Sequence, residues 1–353
     1  SNNTGVGRDA LAANTTGTRL VAVGAFSLDA NTTANNNVAV GYTALTANTT
    51  GGNNTALGDQ CLAANTTASF NTAVGKDALA VNTTGASNVA VGAFALDANT
   101  TAASNTAVGE ASLSANTTGT RNVAVGKSAA ALNTTGSNLT AVGVDACNAN
   151  TTGLNNVGIG RDALLSNTTA SDNTSVGSFA LMDNTTGASN TACGRSALEN
   201  STTASNNTAV GMNALKENTT GASNVAVGAF ALDEVATASN NTAIGHGTLS
   251  HASSGSSNTA VGNLALLSNQ ESFNTAVGDS ALKTNTNGAQ NVAIGAFTLD
   301  DHSTGSNNTG CGYAALTNST SGVSNTAVGS LALLENTTGS SNTAIGLGAG
   351  RSV

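Results

Sequence analysis

Glycine divides the chain into units of nearly constant length, and apolar residues fall at fixed places between the glycines. The series runs from Gly7 to Gly346, and 19 of its 20 intervals span 17 residues. The exception, Gly262 to Gly278, spans 16 residues. Numbered from its glycine, a repeat usually has alanine at position 4, leucine at position 5 and asparagine at positions 8 and 14. Positions 15 to 17 most often read Thr-Ala-Val or Val-Ala-Val, so the whole chain is a tandem repeat.

Two short apolar clusters in each repeat predict two short β-strands, around positions 2–6 and 14–17. Neither cluster has the i, i+3, i+4, i+7 spacing that is typical of an amphipathic helix. A unit of this length cannot bury a core alone, but it can when it stacks on its neighbours. We therefore expect an all-β fold: a parallel β-solenoid (β-roll or β-helix) of about 21 coils, with one 17-residue repeat per coil.

The largest apolar side chains of each repeat, at positions 5 and 17, are expected to stack inside the coils. The predicted core residues include Leu96, Val108, Leu113, Val125, Ile159 and Leu164. Side chains alternate between the two faces of a strand, which would place the alanines of positions 4 and 16 outside. Small outer residues allow a second chain to approach closely, so we expect a homo-oligomer, with a trimer favoured.

Asparagine fills position 14 in 19 of 21 repeats. Identical amides stack in register in β-structures, which predicts an asparagine ladder that includes Asn88, Asn105 and Asn122. Proline is absent from the chain, as expected where most backbone N–H groups bond to a neighbouring coil. The shorter interval loses its residue within SNQESFN, so we expect a tighter turn there and intact apolar clusters.

Composition narrows the possible functions. The chain is 39% apolar, which argues against disorder, and no composition shift interrupts residues 1–353, so we expect one continuous solenoid domain without separate caps. The net charge is −9 with only 10 basic residues, which argues against nucleic acid and an anionic membrane surface as partners. No apolar run approaches the length of a membrane-spanning helix.

Cysteine, histidine and aspartate, which often serve as catalytic residues or metal ligands, occupy regular positions of the repeat in this chain. Cys61, Cys147, Cys193 and Cys311 replace apolar residues, so we expect buried, unpaired thiols. His246, His251 and His302 are expected to be solvated turn residues. Asp145 and Asp162, on adjacent coils, are the only weak indication of a cation site. We expect no catalytic residues, metal or cofactor.

Asn-Thr-Thr at position 8 is formally an N-glycosylation signal, for example at Asn31, Asn99 and Asn116. Asparagine and threonine also suit turns because their side chains bond to nearby backbone. Coils about 4.8 Å apart leave no room for a branched glycan on each one. A structural role is therefore favoured, with sparse glycans as the alternative.

The phrases NTAVGKDAL, NVAVGAFAL and NTAIG resemble the repeats in the heads of YadA-type trimeric autotransporter adhesins. They resemble still more closely the NTA[VI]G arrays of tail-fibre-like proteins of phages and bacteria. The adhesin heads have a shorter repeat and form a left-handed parallel β-roll that trimerises. The resemblance therefore implies a left-handed, oligomeric solenoid.

These observations favour a non-enzymatic structural fibre subunit that is extracellular, on a cell surface or on a virion. It would self-associate laterally, and a regular repeat phase at both termini suggests head-to-tail filament growth as well. The alternatives are an adhesin for a glycan or other cell-surface ligand and, less favoured, an ice-binding solenoid. The stacked threonines of positions 9 and 10 would form the ice-binding array, but they are predicted to lie in a turn.

Overall fold

The computed structural model describes residues 2–251 and 254–352. The chain divides into two compact units, Ser1–Asn173 (unit 1) and Thr174–Val353 (unit 2). Both units have the same architecture, a stack of coils with one 17-residue repeat per coil, so the prediction of an all-β parallel solenoid is confirmed.

Each coil contributes one three-residue strand, formed by positions 15 to 17 of the repeat. The strands of unit 1 are β1 (Thr4–Val6), β2 (Val21–Val23), β3 (Val38–Val40), β4 (Thr55–Leu57), β5 (Thr72–Val74), β6 (Val89–Val91), β7 (Thr106–Val108), β8 (Val123–Val125), β9 (Thr140–Val142) and β10 (Val157–Ile159). The strands of unit 2 are β11 (Thr174–Val176), β12 (Thr191–Cys193), β13 (Thr208–Val210), β14 (Val225–Val227), β15 (Thr242–Ile244), β16 (Thr259–Val261), β17 (Thr275–Val277), β18 (Val292–Ile294), β19 (Thr309–Cys311), β20 (Thr326–Val328) and β21 (Thr343–Ile345). Within each unit, consecutive strands are parallel and in register, as in the pairing of Ala107 with Ala124.

The second predicted strand, around positions 2–6, is wrong, because these residues form a run of turns. Positions 3 and 5 have positive φ, for example 59° at Phe94 and 52° at Leu96, which is incompatible with an extended strand. The turns still bond from coil to coil: the Phe94 amide donates to the Lys76 carbonyl at 3.0 Å and the Leu96 amide to the Ser112 carbonyl at 3.1 Å. Stacking therefore provides hydrogen-bond partners for the backbone amides of these turns, although the residues do not have strand geometry.

Position 1 requires glycine for both a conformational and a steric reason. Gly92 has φ of 138°, which L side chains rarely adopt. A Cβ on Gly92 would also overlap the carbonyl of Gly109 in the next coil. Because successive coils repeat this close approach, the glycine sets the period of the chain.

The core is built from alanine, leucine and asparagine, and one part of the core prediction is wrong. Leu96, Leu113 and Leu164 are fully buried, as expected. The core prediction fails for position 17: Val125 and Ile159 are exposed by 37% and 39%, and Val108 is half-buried.

The inward residue of each strand is instead the alanine of position 16, for example Ala107 and Ala124, which are 0% exposed. Since adjacent strand residues point to opposite faces, positions 15 and 17 must point outward. The coil interior is narrow at this point. A Cβ on Gly5, which stands at position 16, would meet Leu11 Cδ1 at 3.5 Å. Where the larger Thr298 stands at position 4, position 16 is Gly310, whose Cβ would lie 2.6 Å from Thr298 Cγ2.

The shorter coil behaves as predicted. Its strand stays in register, with Thr259 opposite Thr275, and its inward residues Leu266 and Ala276 are fully buried. The Asn274 amide still donates to Asn258 Oδ1 at 2.8 Å. The lost residue therefore shortens only the turn that precedes Asn274.

Candidate interaction surface

The asparagine ladder at position 14 is confirmed, and its hydrogen bonds link backbone with side chain. The Asn105 amide donates to Asn88 Oδ1 at 2.9 Å, and the Asn122 amide donates to Asn105 Oδ1 at 3.0 Å. Each Nδ2 group donates in the other direction, as Asn105 Nδ2 does to the Gly119 carbonyl at 2.9 Å. All three asparagines are 0% exposed. This ladder satisfies the buried backbone of one wall of the coil.

Position 8 forms a second ladder, in which side-chain amides bond directly to each other. Asn99 Nδ2 donates to Asn82 Oδ1 at 2.9 Å and to the Ala102 carbonyl at 3.1 Å. The side chains of Asn31, Asn99 and Asn116, the candidate glycosylation residues, are 0% exposed. Because their Nδ2 atoms already donate inside the coil, a glycan there would break the ladder. The structure contradicts this alternative.

The outward residues of the strands, at positions 15 and 17, form a continuous surface within each unit, which we call the strand face. None of them is buried: on β8, Val123 and Val125 are exposed by 39% and 37%. On β15, Ile244 is exposed by 41%. No residue at positions 14 to 17 is charged, although the chain has 10 basic and 19 acidic residues.

The charged residues stand almost entirely on the turns, at positions 2, 3, 6, 7 and 13, with Glu271 as the exception. They form exposed ion pairs such as Lys127 with Glu110 at 3.2 Å, a type that contributes little to stability. Aspartates at position 6 are partly buried, and this desolvation raises the pKa of Asp97 and Asp233. The charged surface of each unit is therefore formed by the turns and not by the strand face.

The cysteines divide into two classes, only one of which was predicted. Cys61 and Cys147 are buried, and desolvation raises the pKa of both thiols to about 12. Cys193 is exposed and Cys311 half-buried, because both stand at position 17 and therefore on the strand face. The prediction of four buried thiols is wrong for this second pair.

His302 is not a solvated turn residue but replaces asparagine in the position-8 ladder, where it is 0% exposed. Its Nε2 atom lies 2.7 Å from the Gly305 carbonyl oxygen, and its Nδ1 atom lies 3.0 Å from that of Ser319. Burial lowers the pKa of this imidazole, and the two hydrogen bonds oppose part of the shift. His246 and His251 are exposed, as predicted.

Aromatic residues of the turns also pair between adjacent coils. The rings of Phe26 and Tyr42 lie edge to face, 6.2 Å apart, and the Arg8 guanidinium lies 4.3 Å from the centre of the Phe26 ring. Phe297 and Tyr313 repeat the edge-to-face pair at 5.9 Å. Tyr42 and Tyr313 are exposed by 54% and 57%. These pairs give the turn surface two similar apolar patches, one in each unit.

Within residues 2–251 and 254–352 there is no pocket, and no group of three or more His, Cys, Asp or Glu side chains suited to holding a metal ion. Neither Asp162, which lies 3.2 Å from Arg161, nor Asp145, which accepts a hydrogen bond from Asn148 at 3.3 Å, is part of such a group. The described residues also contain no helix with the length and apolar character needed to span a bilayer. No family model matches the chain, and no curated protein is significantly similar to it.

Proposed function

We propose that the protein is a structural fibre subunit, without enzymatic activity, that associates laterally with copies of itself. The observation that supports this is the strand face of unit 1. Five of its ten strands carry aliphatic residues at both outward positions: Val21–Val23, Val38–Val40, Val89–Val91, Val123–Val125 and Val157–Ile159. Exposed aliphatic surface without charge is typical of an interface between proteins.

A second copy suits this surface because both copies have the same spacing between strands. Sheets that pack face to face interdigitate their side chains across a gap of about 10 Å. Val123 and Val125 of one copy can thus fill the spaces between the side chains of adjacent coils in another. Burying one such side chain fully is worth about 1.5–3 kcal/mol, and the repeat multiplies that gain.

The proposed oligomer is a trimer and the proposed location is extracellular, on a cell surface or on a virion, both from the resemblance to adhesin heads and tail fibres. The structure changes the residues proposed for the contact. The sequence-based prediction buried Val108 and therefore placed Ala107 on the outer face. In the structure Ala107 is 0% exposed. The valines and isoleucines of position 17 therefore replace the alanines of position 16 as the contact residues.

A paired-charge experiment tests the proposal. Light scattering of the native chain should give a multiple of its 34.0 kDa mass. Val123→Lys with Val125→Lys should give the single-chain mass at an unchanged melting temperature, because both side chains point outward. The matched control is Thr118→Lys with Thr135→Lys on exposed turn positions of adjacent coils, which should stay oligomeric. A native chain of single mass, or equal dissociation of both variants, would refute lateral association by this face.

The aromatic pairs support a second candidate, an adhesin for glycans. Exposed tyrosines next to a second ring offer a flat apolar surface with a polar hydroxyl, a combination enriched at binding interfaces. Tyr42→Ala with Tyr313→Ala should then abolish binding to a glycan array. Retention of array binding by this double variant would exclude the aromatic pairs as the site.

A further inference from the structure

The strand face of unit 2 differs from that of unit 1 in its first column. Position 15 is threonine in nine of the eleven strands of unit 2, whereas it is threonine in only five of the ten strands of unit 1. The nine are Thr174, Thr191, Thr208, Thr242, Thr259, Thr275, Thr309, Thr326 and Thr343. The second column, position 17, consists of valine, isoleucine and two cysteines. Unit 2 therefore presents a column of threonines beside a mainly aliphatic one.

The hydroxyl groups of this column are available to solvent. Thr202 and Thr219, at position 9, donate their hydroxyls to the carbonyls of Thr219 and Ala236 at 3.1 and 3.0 Å. By contrast, the described part of unit 2 provides no hydrogen-bond partner for the hydroxyl of any position-15 threonine. Thr208 uses only its backbone there, donating its amide to the Asn224 carbonyl at 2.9 Å. The position-9 turn threonines are thus engaged in the fold, and the strand threonines are not.

Strand pairing gives the array a regular spacing in two directions. Thr174 pairs with Thr191 and Thr191 with Thr208, in register and parallel. Neighbouring strands lie about 4.8 Å apart, and alternate residues along a strand about 6.7 Å apart. Hydroxyl groups repeat at the first distance only, since position 17 carries aliphatic or cysteine side chains, and this distance is of the size of the shorter oxygen repeat on a prism face of ice. The array carries no charge, so no ionic hydration shell interrupts it.

We infer that the strand face of unit 2 binds ice. The ligand is a crystal surface, which explains how binding could occur without a pocket. The methyl groups of Thr208 and Val210 would hold water in the ordered arrangement that apolar surface imposes. The Thr208 hydroxyl and its equivalents would hydrogen-bond to lattice oxygens at the strand spacing. This moves the array expected from the sequence at positions 9 and 10 to the strand face. The hydroxyls of position 9 are occupied by internal hydrogen bonds and position 10 lies in a bend, whereas position 15 forms an in-register strand column.

Thermal hysteresis of the full-length protein tests the inference. The native chain should separate the freezing from the melting point of ice by a gap that grows with protein concentration. Thr191→Tyr with Thr208→Tyr adds two rings to the strand face of adjacent coils and should reduce the gap severalfold. The control, Thr186→Tyr with Thr203→Tyr, adds the same rings at exposed turn positions and should keep the gap. Circular dichroism should give both variants the native melting curve.

A second measurement separates this inference from lateral association. A fluorescently labelled chain should be incorporated into a growing ball of pure ice, and so should the Val123→Lys, Val125→Lys variant, because its changes lie in unit 1. Absence of hysteresis and of incorporation in the native chain would overturn the inference. Equal activity of the strand and turn variants would overturn it as well. Loss of oligomers with retained ice binding would refute only the fibre proposal.

Discussion

Replacing Asn116 with leucine measures what the position-8 ladder contributes to stability. Asn116 Nδ2 donates to Asn99 Oδ1 and to the Gly119 carbonyl, both at 3.0 Å, and its Oδ1 accepts from Asn133 Nδ2 at 3.0 Å. Leucine has the same number of side-chain heavy atoms and the same branching at Cγ, so the change removes hydrogen bonds without leaving a large cavity. Asn116 is fully buried, and water cannot replace the lost partners.

The magnitude follows from what each former partner retains. The Gly119 carbonyl keeps Asn105 Nδ2 at 2.9 Å, and Asn133 Nδ2 keeps the Gly136 carbonyl at 3.0 Å. Asn99 Oδ1 becomes a buried acceptor without a donor, which costs about 1–3 kcal/mol, and each other lost bond costs about 0.5–1.5 kcal/mol. We expect a loss of about 3 kcal/mol, which is about a hundredfold in the equilibrium constant for local opening.

Amide hydrogen exchange is the suitable assay, because a repeat array need not unfold in one cooperative step. The amides of Leu113 and Thr117, which donate to the Ala129 and Thr134 carbonyls at 3.0 and 2.9 Å, should exchange about a hundredfold faster in the variant. Thr118→Leu, two residues away and exposed, should leave their rates unchanged. Native rates in Asn116→Leu, or equal acceleration in both variants, would refute the ladder's energetic role.

Three further predictions follow from the assignment of inner and outer residues. Ala107→Asp should unfold the surrounding coils, because it buries an unpaired charge, whereas Val108→Asp should preserve the melting temperature and weaken association; equal melting temperatures would contradict the assignment. A maleimide should label Cys193 in the native chain and leave Cys147 unlabelled until denaturant is added, which mass spectrometry of tryptic peptides can check. Burial lowers the pKa of His302 from its ordinary 6.5, so the unfolded chain takes up the proton first and stability should fall as pH drops below about 6.5; His302→Asn should remove this dependence in urea titrations at several pH values.

The period, the parallel stacking and the asparagine ladder could be predicted because each depends on a hydrogen-bond pattern that recurs in every coil. Which strand residues point into the coil could not be predicted from size, by placing the larger residue of position 17 inside and the smaller one of position 16 outside. Strand parity decides the question, and a shift of one residue reverses every side chain. A usable signal was nevertheless present: position 16 is restricted to alanine, glycine or serine, while position 17 varies among valine, isoleucine, leucine and cysteine. Restriction to small residues marked the side that is limited by packing.

The burial of His302 and the availability of the Thr208 hydroxyl could not be predicted from the sequence for a different reason. Both depend on which neighbour each side chain meets, and repeat position alone does not give that neighbour. His302 is buried like the asparagines of position 8, because side chains at that position point into the coil. Thr202 and Thr208 are chemically identical, yet only the first has a carbonyl of the next coil within reach of its hydroxyl. The local geometry separates a structural threonine from one that is available to a ligand.

The difference between the units at position 15 concerns the surface and not the fold. Valine and threonine are both β-branched and both favour strands, so the strand itself gives little reason to choose between them. Neither side chain enters the coil interior, where Ala209 and Leu215 are fully buried in unit 2 just as Ala107 and Leu113 are in unit 1. The threonine bias of unit 2 is therefore not a requirement of these inward positions, and the proposed contact of its strand face with ice accounts for it. An aliphatic surface suits a second copy of the chain, whereas a regular column of free hydroxyls suits ordered water.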